Sequence, residues 1–181
     1  LTIDAIIKPK HIGERELAAR HMVNVVPGDL ILLDRGYPAW WMFKLILTMN
    51  ANFCARISCT KWKAVRKFYR SGLAEKVIEL PVNPTSVPQC DQMGLDTNLL
   101  KVRLIRIEND GKAAVLITSL IDTKQYPIEI FNDLYHYRWP IEEDYKIMKC
   151  RMELENFSGK SELSVYQDFH AKVFAKNLVW M

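Results

Sequence analysis

More and less apolar residues alternate from the first position. Leu1, Ile3, Ala5 and Ile7 interleave with Thr2, Asp4, Ile6 and Lys8, the period-two pattern of a strand with one more apolar face. Pro9 ends it. From about Ile12 to Val25, Ile12, Leu17, Ala18, Met22 and Val25 fall near helical spacing, and Pro27-Gly28-Asp29 predicts a turn. Leu30 to Leu33 is an unbroken apolar run, as expected of a strand covered on both faces. It leads directly into Asp34-Arg35-Gly36-Tyr37. Pro38 suits the first turn of a helix reaching about Met49, and Phe53 to Ile57 predicts another short buried strand. The first 58 residues therefore predict strand, helix, strand, helix, strand, an α/β arrangement.

The pattern then changes. Lys61, Lys63, Arg66, Lys67 and Arg70 put five basic residues within ten, interleaved with Trp62, Phe68 and Tyr69. Val77 to Leu80, Leu99 to Ile107 and Ala113 to Leu120 predict strands, with Asn109-Asp110-Gly111 as a hairpin turn between the last two. Pro81, Pro84 and Pro88 mark a loop. After Pro127 the spacing turns helical. Pro140 interrupts it and then serves as an early residue of a second helix through about Leu154. Ser158-Gly159-Lys160 separates that from a last helix beginning near Ser161. The expected organisation is a core formed by residues 1–58 and 125–181, interrupted by an antiparallel β insertion at 59–124.

Composition narrows the class. At 181 residues, 49% hydrophobic and 25% charged, the chain is an ordinary globular one, with one domain or one domain plus an insertion. A net charge of +4 permits a polyanionic partner without demanding one. Cys54, Cys59, Cys90 and Cys150 form no C-x-x-C pair, and the four histidines complete no zinc spacing. Reduced, packed thiols of a cytoplasmic protein are expected. The most apolar stretch, Ala39 to Met49, is broken by Lys44 and is far too short to span a bilayer, so no membrane partner is expected. The chain opens inside a predicted strand and closes inside a helical pattern, and we read it as part of a longer protein.

Two carboxylates carry the candidate chemistry. Asp34 follows an apolar strand, and ligands in open α/β sheets collect at strand carboxyl ends. A metal ligand and a turn-capping aspartate are both open readings. Glu142 lies in the first turn after Pro140, beside Glu143 and Asp144. Complementing the helix dipole explains the two neighbours. For Glu142, the offsets to Tyr145, Lys146 and Lys149 are three, four and seven, which puts Lys149 on its face of an α-helix. Arg138 and Lys149 read either as ion-pair partners of Glu142 or as a grip on phosphates beside a metal. Tyr135 reads as a core aromatic or as a backbone contact to nucleic acid. The run from Lys61 to Arg70 can bind phosphates and stack on unpaired bases, or form a solvated strand or loop.

Tyr135, two residues, Arg138, three residues, Glu142, six residues, Lys149 resembles the Tyr-Arg-Glu-Lys signature of bacterial DDE transposases of the insertion-sequence-four family. The segment ending in Asp34-Arg35-Gly36-Tyr37 resembles that family's second catalytic aspartate, and the block between Asp34 and Glu142 its β-rich insertion. The resemblance implies a ribonuclease-H-like core. It implies that Asp34, Glu142 and a further aspartate meet in one cleft to hold two Mg²⁺ ions (Mn²⁺ substituting) for in-line displacement at phosphorus. Tyr135, Arg138 and Lys149 would hold the backbone of double-stranded DNA at the transposon ends, in a cytoplasmic, nucleoid-associated homodimer. One departure follows. Asp4 is the only acid on the predicted first strand and lies too near Asp34 in chain order to be the family's first aspartate. The first strand or strands of the fold, with that aspartate, are expected to be missing, and the chain alone is expected not to cleave DNA. The rival expectation is an inactive DNA-binding remnant of a mobile element.

Overall fold

The computed structural model describes residues 1–9, 12–109 and 111–179. They form two compact units, Val25–Tyr137, and Leu1–Asn24 together with Arg138–Met181.

The first unit is built on one five-stranded sheet. Strands β1 (Leu30–Leu33), β2 (Asn52–Ile57), β3 (Glu75–Leu80), β4 (Leu100–Asn109) and β5 (Lys112–Thr118) take the order β1-β2-β5-β4-β3. β1 and β2 are parallel and every other pair is antiparallel. A parallel pair needs a crossover, and the helix Trp40–Thr48 supplies it. It is apolar almost all round, so Trp40, Trp41, Met42, Phe43 and Ile46 are all buried. Phe43 stacks on Phe53 of β2 at 4.3 Å, and the Trp40 indole donates to the Leu80 carbonyl at 3.0 Å. Gly28 makes the turn into β1 with φ of 93°, a conformation glycine adopts at no steric cost.

The strands expected as an insertion continue the sheet that contains β1 and β2. The observed division falls at residues 24/25 and 137/138, not at the expected 58/59 and 124/125. β5 pairs with both β2 and β4, and that continuous ladder joins them. Asp110 of the expected hairpin turn lies outside the described residues. The segment from Lys61 is no strand or loop. It is a helix, Lys63–Ser71, that buries Val65 and Phe68 and ends at Gly72 with φ of 72°. The expected proline loop also contains a helix, Val87–Met93, with Pro88 in its first turn, where a missing N–H costs nothing.

The second unit contains the helix Glu14–His21, the helix Pro140–Lys146 continued by a π-helical stretch Ile147–Arg151, and the helix Glu162–Val179. In chain order the helices are α1 (14–21), α2 (40–48), α3 (63–71), α4 (87–93), α5 (130–136), α6 (140–146) and α7 (162–179). The expected strand over residues 1–7 is not one, and no strand lies beside it among the described residues of this unit. Side chains of α7 take its backbone bonds instead. Asn177 accepts from the Thr2 amide at 2.9 Å and donates to the Thr2 carbonyl at 2.7 Å, and the Tyr166 hydroxyl donates to the Ile7 carbonyl at 3.3 Å. Ala5 and Ile7 pack against Met148, Phe169 and Val173. Lys176 is buried, donating to Asp144 and, at 2.7 Å, to the Thr2 hydroxyl.

All four cysteines are free. Burial pushes the Cys54 thiol up to about 12, against a small opposing effect of the Thr118 hydroxyl. A raised thiol titrates later, so Cys54 stays protonated and unreactive. Thiol titration of the native protein at mildly alkaline pH is expected to modify exposed Cys150 first and Cys54 only after denaturant is added. In β4, fully buried Arg103 bonds Glu75 and the Leu120 and Tyr126 carbonyls. Arg103→Leu is expected to lower urea-unfolding stability by about 2–4 kcal/mol. Arg20→Leu, at an exposed pair with Glu16, should change it by less than about 1 kcal/mol.

Candidate functional site

Asp34 stands just past the carboxyl end of β1. Its carbonyl accepts the Tyr37 amide at 3.0 Å, which closes the turn through Arg35 and Gly36. The β1–β2 register ends at Leu33 with Ala55, so Arg56 of β2 comes next to Asp34. Its guanidinium donates to Asp34 Oδ1 at 3.3 Å. The Tyr135 hydroxyl lies 3.4 Å from the same oxygen and 3.3 Å from the Leu33 carbonyl. Both bonds fall on Oδ1. Oδ2 accepts none among the described residues, and the carboxylate is 38% exposed. Arg56 Nε is buried without a hydrogen-bond partner among the described residues.

Tyr135 is aimed by α5. Phe131 and Tyr135 are one turn apart and both buried, in a cluster with Leu30, Leu32 and Leu134. The Arg103 guanidinium sits 5.1 Å over the Phe131 ring. The tyrosine is 4% exposed, so its hydroxyl meets Asp34 rather than solvent. Arg56 was not foreseen. The available signal was one cation inside the otherwise apolar segment from Phe53 to Ile57.

In the other unit, Arg138 donates to Glu142 Oε1 at 2.6 Å across one helical turn. Glu142 Oε2 accepts no hydrogen bond among the described residues. Lys149 lies in the π-helical stretch Ile147–Arg151, whose i→i+5 bonding departs from the α-helical spacing expected of it. Lys149 pairs with Glu155 at 3.0 Å, and the Glu155 carboxylate raises its pKa. Asp144, expected to serve the helix dipole, instead binds buried Lys176. Lys61, Lys63, Arg66, Lys67 and Arg70 are exposed on and before α3, while Trp62 and Phe68 are turned inward.

Asp34 thus belongs to the sheet unit, and Glu142 to the other. Among the described residues no group of three His, Cys, Asp or Glu is placed to hold a metal ion. No helix of the described residues is long and apolar enough to cross a membrane.

The model of the transposase DDE domain family matches residues 1–178, and the chain belongs to that family. It is similar to the transposase InsG for insertion sequence element IS4 of Escherichia coli (strain K12), with 27% identity over 170 residues. That alignment covers 92% of this chain and 38% of the relative. The chain is therefore a DDE transposase domain of the insertion-sequence-four type, spanning well under half the length of that relative. No solved structure matches it.

Removing the Tyr135 hydroxyl tests the contact at Asp34. Tyr135→Phe is expected to cost about 1 kcal/mol in urea unfolding, the usual worth of one such bond. In an Asp34→Ala background the same change should cost less, and a double-mutant cycle gives the coupling.

Proposed function

We propose that the chain is the catalytic-domain portion of a cut-and-paste DNA transposase. Its parent would hydrolyse phosphodiesters at transposon ends and transfer the resulting 3′ ends to target DNA. We place Asp34 and Glu142 as two of the three carboxylates that this chemistry needs, within a ribonuclease-H-like core. No residue of this chain is assigned to the first aspartate, and cleavage is assigned to the parent protein.

The observation that carries this reading is the state of the two carboxylates. Each is held through one oxygen by an arginine, and the other oxygen takes no hydrogen bond among the described residues. Hard oxygen donors of this kind suit Mg²⁺ or Mn²⁺, and Asp34 Oδ2 and Glu142 Oε2 are the atoms available to either ion. Such an ion supplies charge neutralisation at the reacting phosphate. The protein's own groups set orientation. Arg56 and Tyr135 fix the rotation of the Asp34 carboxylate, and Arg138 fixes Glu142. Arg138 and Lys149 are cations beside the signature glutamate, and we assign them to DNA phosphates. Lys149 is free to take that role only by leaving exposed Glu155, a weak partner. Lys61, Lys63, Arg66, Lys67 and Arg70 are assigned to DNA as well, and the parent is assigned a homodimer acting on paired ends.

Isothermal titration of the chain with Mn²⁺ is the test. Asp34→Ala and Glu142→Ala are each expected to weaken binding at least about tenfold, a loss near 1.4 kcal/mol. Wild-type affinity in both variants would overturn the assignment.

A further inference from the structure

The signature lysine is paired with a carboxylate whose own backbone is held at several points. Lys149 Nζ stands 3.0 Å from Glu155 Oε1, and the two side chains are 55% and 74% exposed. An exposed pair of this kind is ordinarily worth little, because ordering two long side chains offsets most of the attraction. That cost falls when one partner is fixed beforehand.

Glu155 is fixed. It is the third residue of a turn, 153–156, closed by the Asn156 amide on the Glu153 carbonyl at 2.8 Å. The turn is tied to the π-helical stretch before it, since the Met152 and Leu154 amides donate to the Ile147 and Met148 carbonyls at 3.1 and 3.0 Å. It is also tied to α7 after it. Lys172 donates to the carbonyls at both ends of the turn, Glu153 at 2.8 Å and Asn156 at 2.6 Å. The same ammonium lies 5.8 Å over the Phe157 ring. Leu154 and Phe157 pack on Met148, Phe169 and Val173. Leu154 is thereby turned to the core, and its neighbour Glu155 to solvent.

The turn also carries strain. Glu153 stands at φ of 46°, in the left-handed region. A residue with a Cβ persists there only where its surroundings over-determine it. The Glu153 carbonyl takes both the Asn156 amide and Lys172, and its carboxylate accepts from the Asn156 side-chain amide at 3.2 Å. Ending a helix needs none of this, and a glycine would make the turn without strain. What the arrangement adds is a carboxylate set at a fixed distance from Lys149. That carboxylate raises the Lys149 pKa and so keeps the ammonium charged and occupied.

A carboxylate and a phosphate offer an ammonium the same thing, anionic oxygens at charge-assisted hydrogen-bond distance. Lys149 is a compact charge on a flexible stem, which can pass from one to the other without backbone movement. We infer that the turn 153–156 is an autoinhibitory clasp, in which Glu155 stands in for a phosphate and withholds Lys149 until a phosphate seated at the site displaces it. The identity of that phosphate as DNA rests on the transposase reading, whose site the clasp regulates. The clasp itself lies within one helical unit and stands without that reading.

Limiting acylation of the folded chain, read by peptide mass spectrometry, measures how far Lys149 is held in its pair, with exposed Lys112 and Lys124 as internal standards. Glu155→Gln is expected to raise Lys149 labelling about threefold against them, with about fivefold as the ceiling for an exposed pair. Glu155→Asp keeps the charge and shortens the reach by one methylene. A fixed turn cannot follow, so labelling should rise nearly as far as in Glu155→Gln. Wild-type labelling in Glu155→Asp means a mobile surface acid and overturns the clasp, as does unchanged labelling in Glu155→Gln. Glu155 is exposed, so both variants are expected to fold. Lys172→Met removes both carbonyl ties without touching the Glu155 charge and should raise labelling about twofold. No rise in the folded variant overturns the tether. In duplex binding without divalent ions, Glu155→Gln should tighten affinity about threefold, and far less beside Lys149→Gln, a coupling that general charge repulsion does not give. Labelling that rises while duplex affinity stays constant withdraws Lys149 from DNA and leaves the clasp standing.

Discussion

A fully buried guanidinium governs the geometry of the sheet unit. Arg103 sits in the middle of β4 with no exposed surface. A cation in that position costs several kcal/mol unless its donors are satisfied, and three separate parts of the chain satisfy them. Glu75 of β3 takes Nε and Nη2, and the Leu120 and Tyr126 carbonyls beyond β5 take Nη1. The Phe131 ring of α5 covers its face. None of these can shift without exposing a buried charge to an empty space. Tyr126 and Phe131 in turn fix where α5 begins and how it is rotated, and Tyr135 is one turn further on. The hydroxyl that meets Asp34 is therefore positioned by an arginine that touches neither of them.

Much of this unit was legible in the sequence. The runs at Leu30–Leu33 and Phe53–Ile57 became strands almost to the residue, because a short run that is apolar throughout or but for one cation, set between turn residues, has few other ways to be buried. β3, β4 and β5 were legible from β-branched and apolar residues set between turn residues, in β4 alternating with Lys101, Arg103 and Arg106. The failures have particular causes. Residues 1–7 alternate like a strand, but alternation says nothing about whether a partner strand exists, and here Asn177 and Tyr166 replace it. In the basic run, the eye follows the alternation of Lys61, Trp62 and Lys63. The offsets of Lys63, Arg66, Lys67 and Arg70 were the better signal, since Val65 and Phe68 fall between them on the other face. Nothing in the sequence announces the π-helical stretch that contains Lys149. The contact between Tyr135 and Asp34 spans 101 positions and no spacing rule reaches that far.

The two signature carboxylates have similar environments but are not equally tightly held. Arg138 grips Glu142 at 2.6 Å, a short charge-assisted bond made within one turn of chain. Arg56 reaches Asp34 only at 3.3 Å, near the limit of a useful bond, with both side chains part-exposed. A divalent ion at Asp34 would bring two charges against the single, poorly seated charge of Arg56. If Asp34 takes the metal role proposed for it, competition for the carboxylate would favour the ion there, and because Tyr135 also holds Oδ1, loosening of Arg56 would not release the side chain to rotate freely. At Glu142 the balance is different: the tight arginine fixes one oxygen and leaves the carboxylate part-exposed. Orientation at Asp34 is thus shared by two weak bonds and at Glu142 is concentrated in one strong bond.

Parallel pairing explains why a carboxylate and a cationic helix come together at all. In an antiparallel pair, the segments that follow the two strands leave from opposite edges of the sheet. In a parallel pair they leave from the same edge. β1 and β2 are the only parallel pair among the described strands, and the two most strongly charged features of the unit, Asp34 with Arg35 and the approach to α3, are what directly follow them. The cost is the crossover helix, which must be apolar enough to lie against the sheet, and α2 meets it with Trp40, Trp41, Met42, Phe43 and Ile46. The antiparallel strands β5, β4 and β3 supply neither Asp34 nor the basic face of α3, though Arg106 of β4 holds the end of that helix. They widen the sheet and house Arg103, and so give a two-stranded parallel pair, too small to stand alone, a core rigid enough to hold its charges in place.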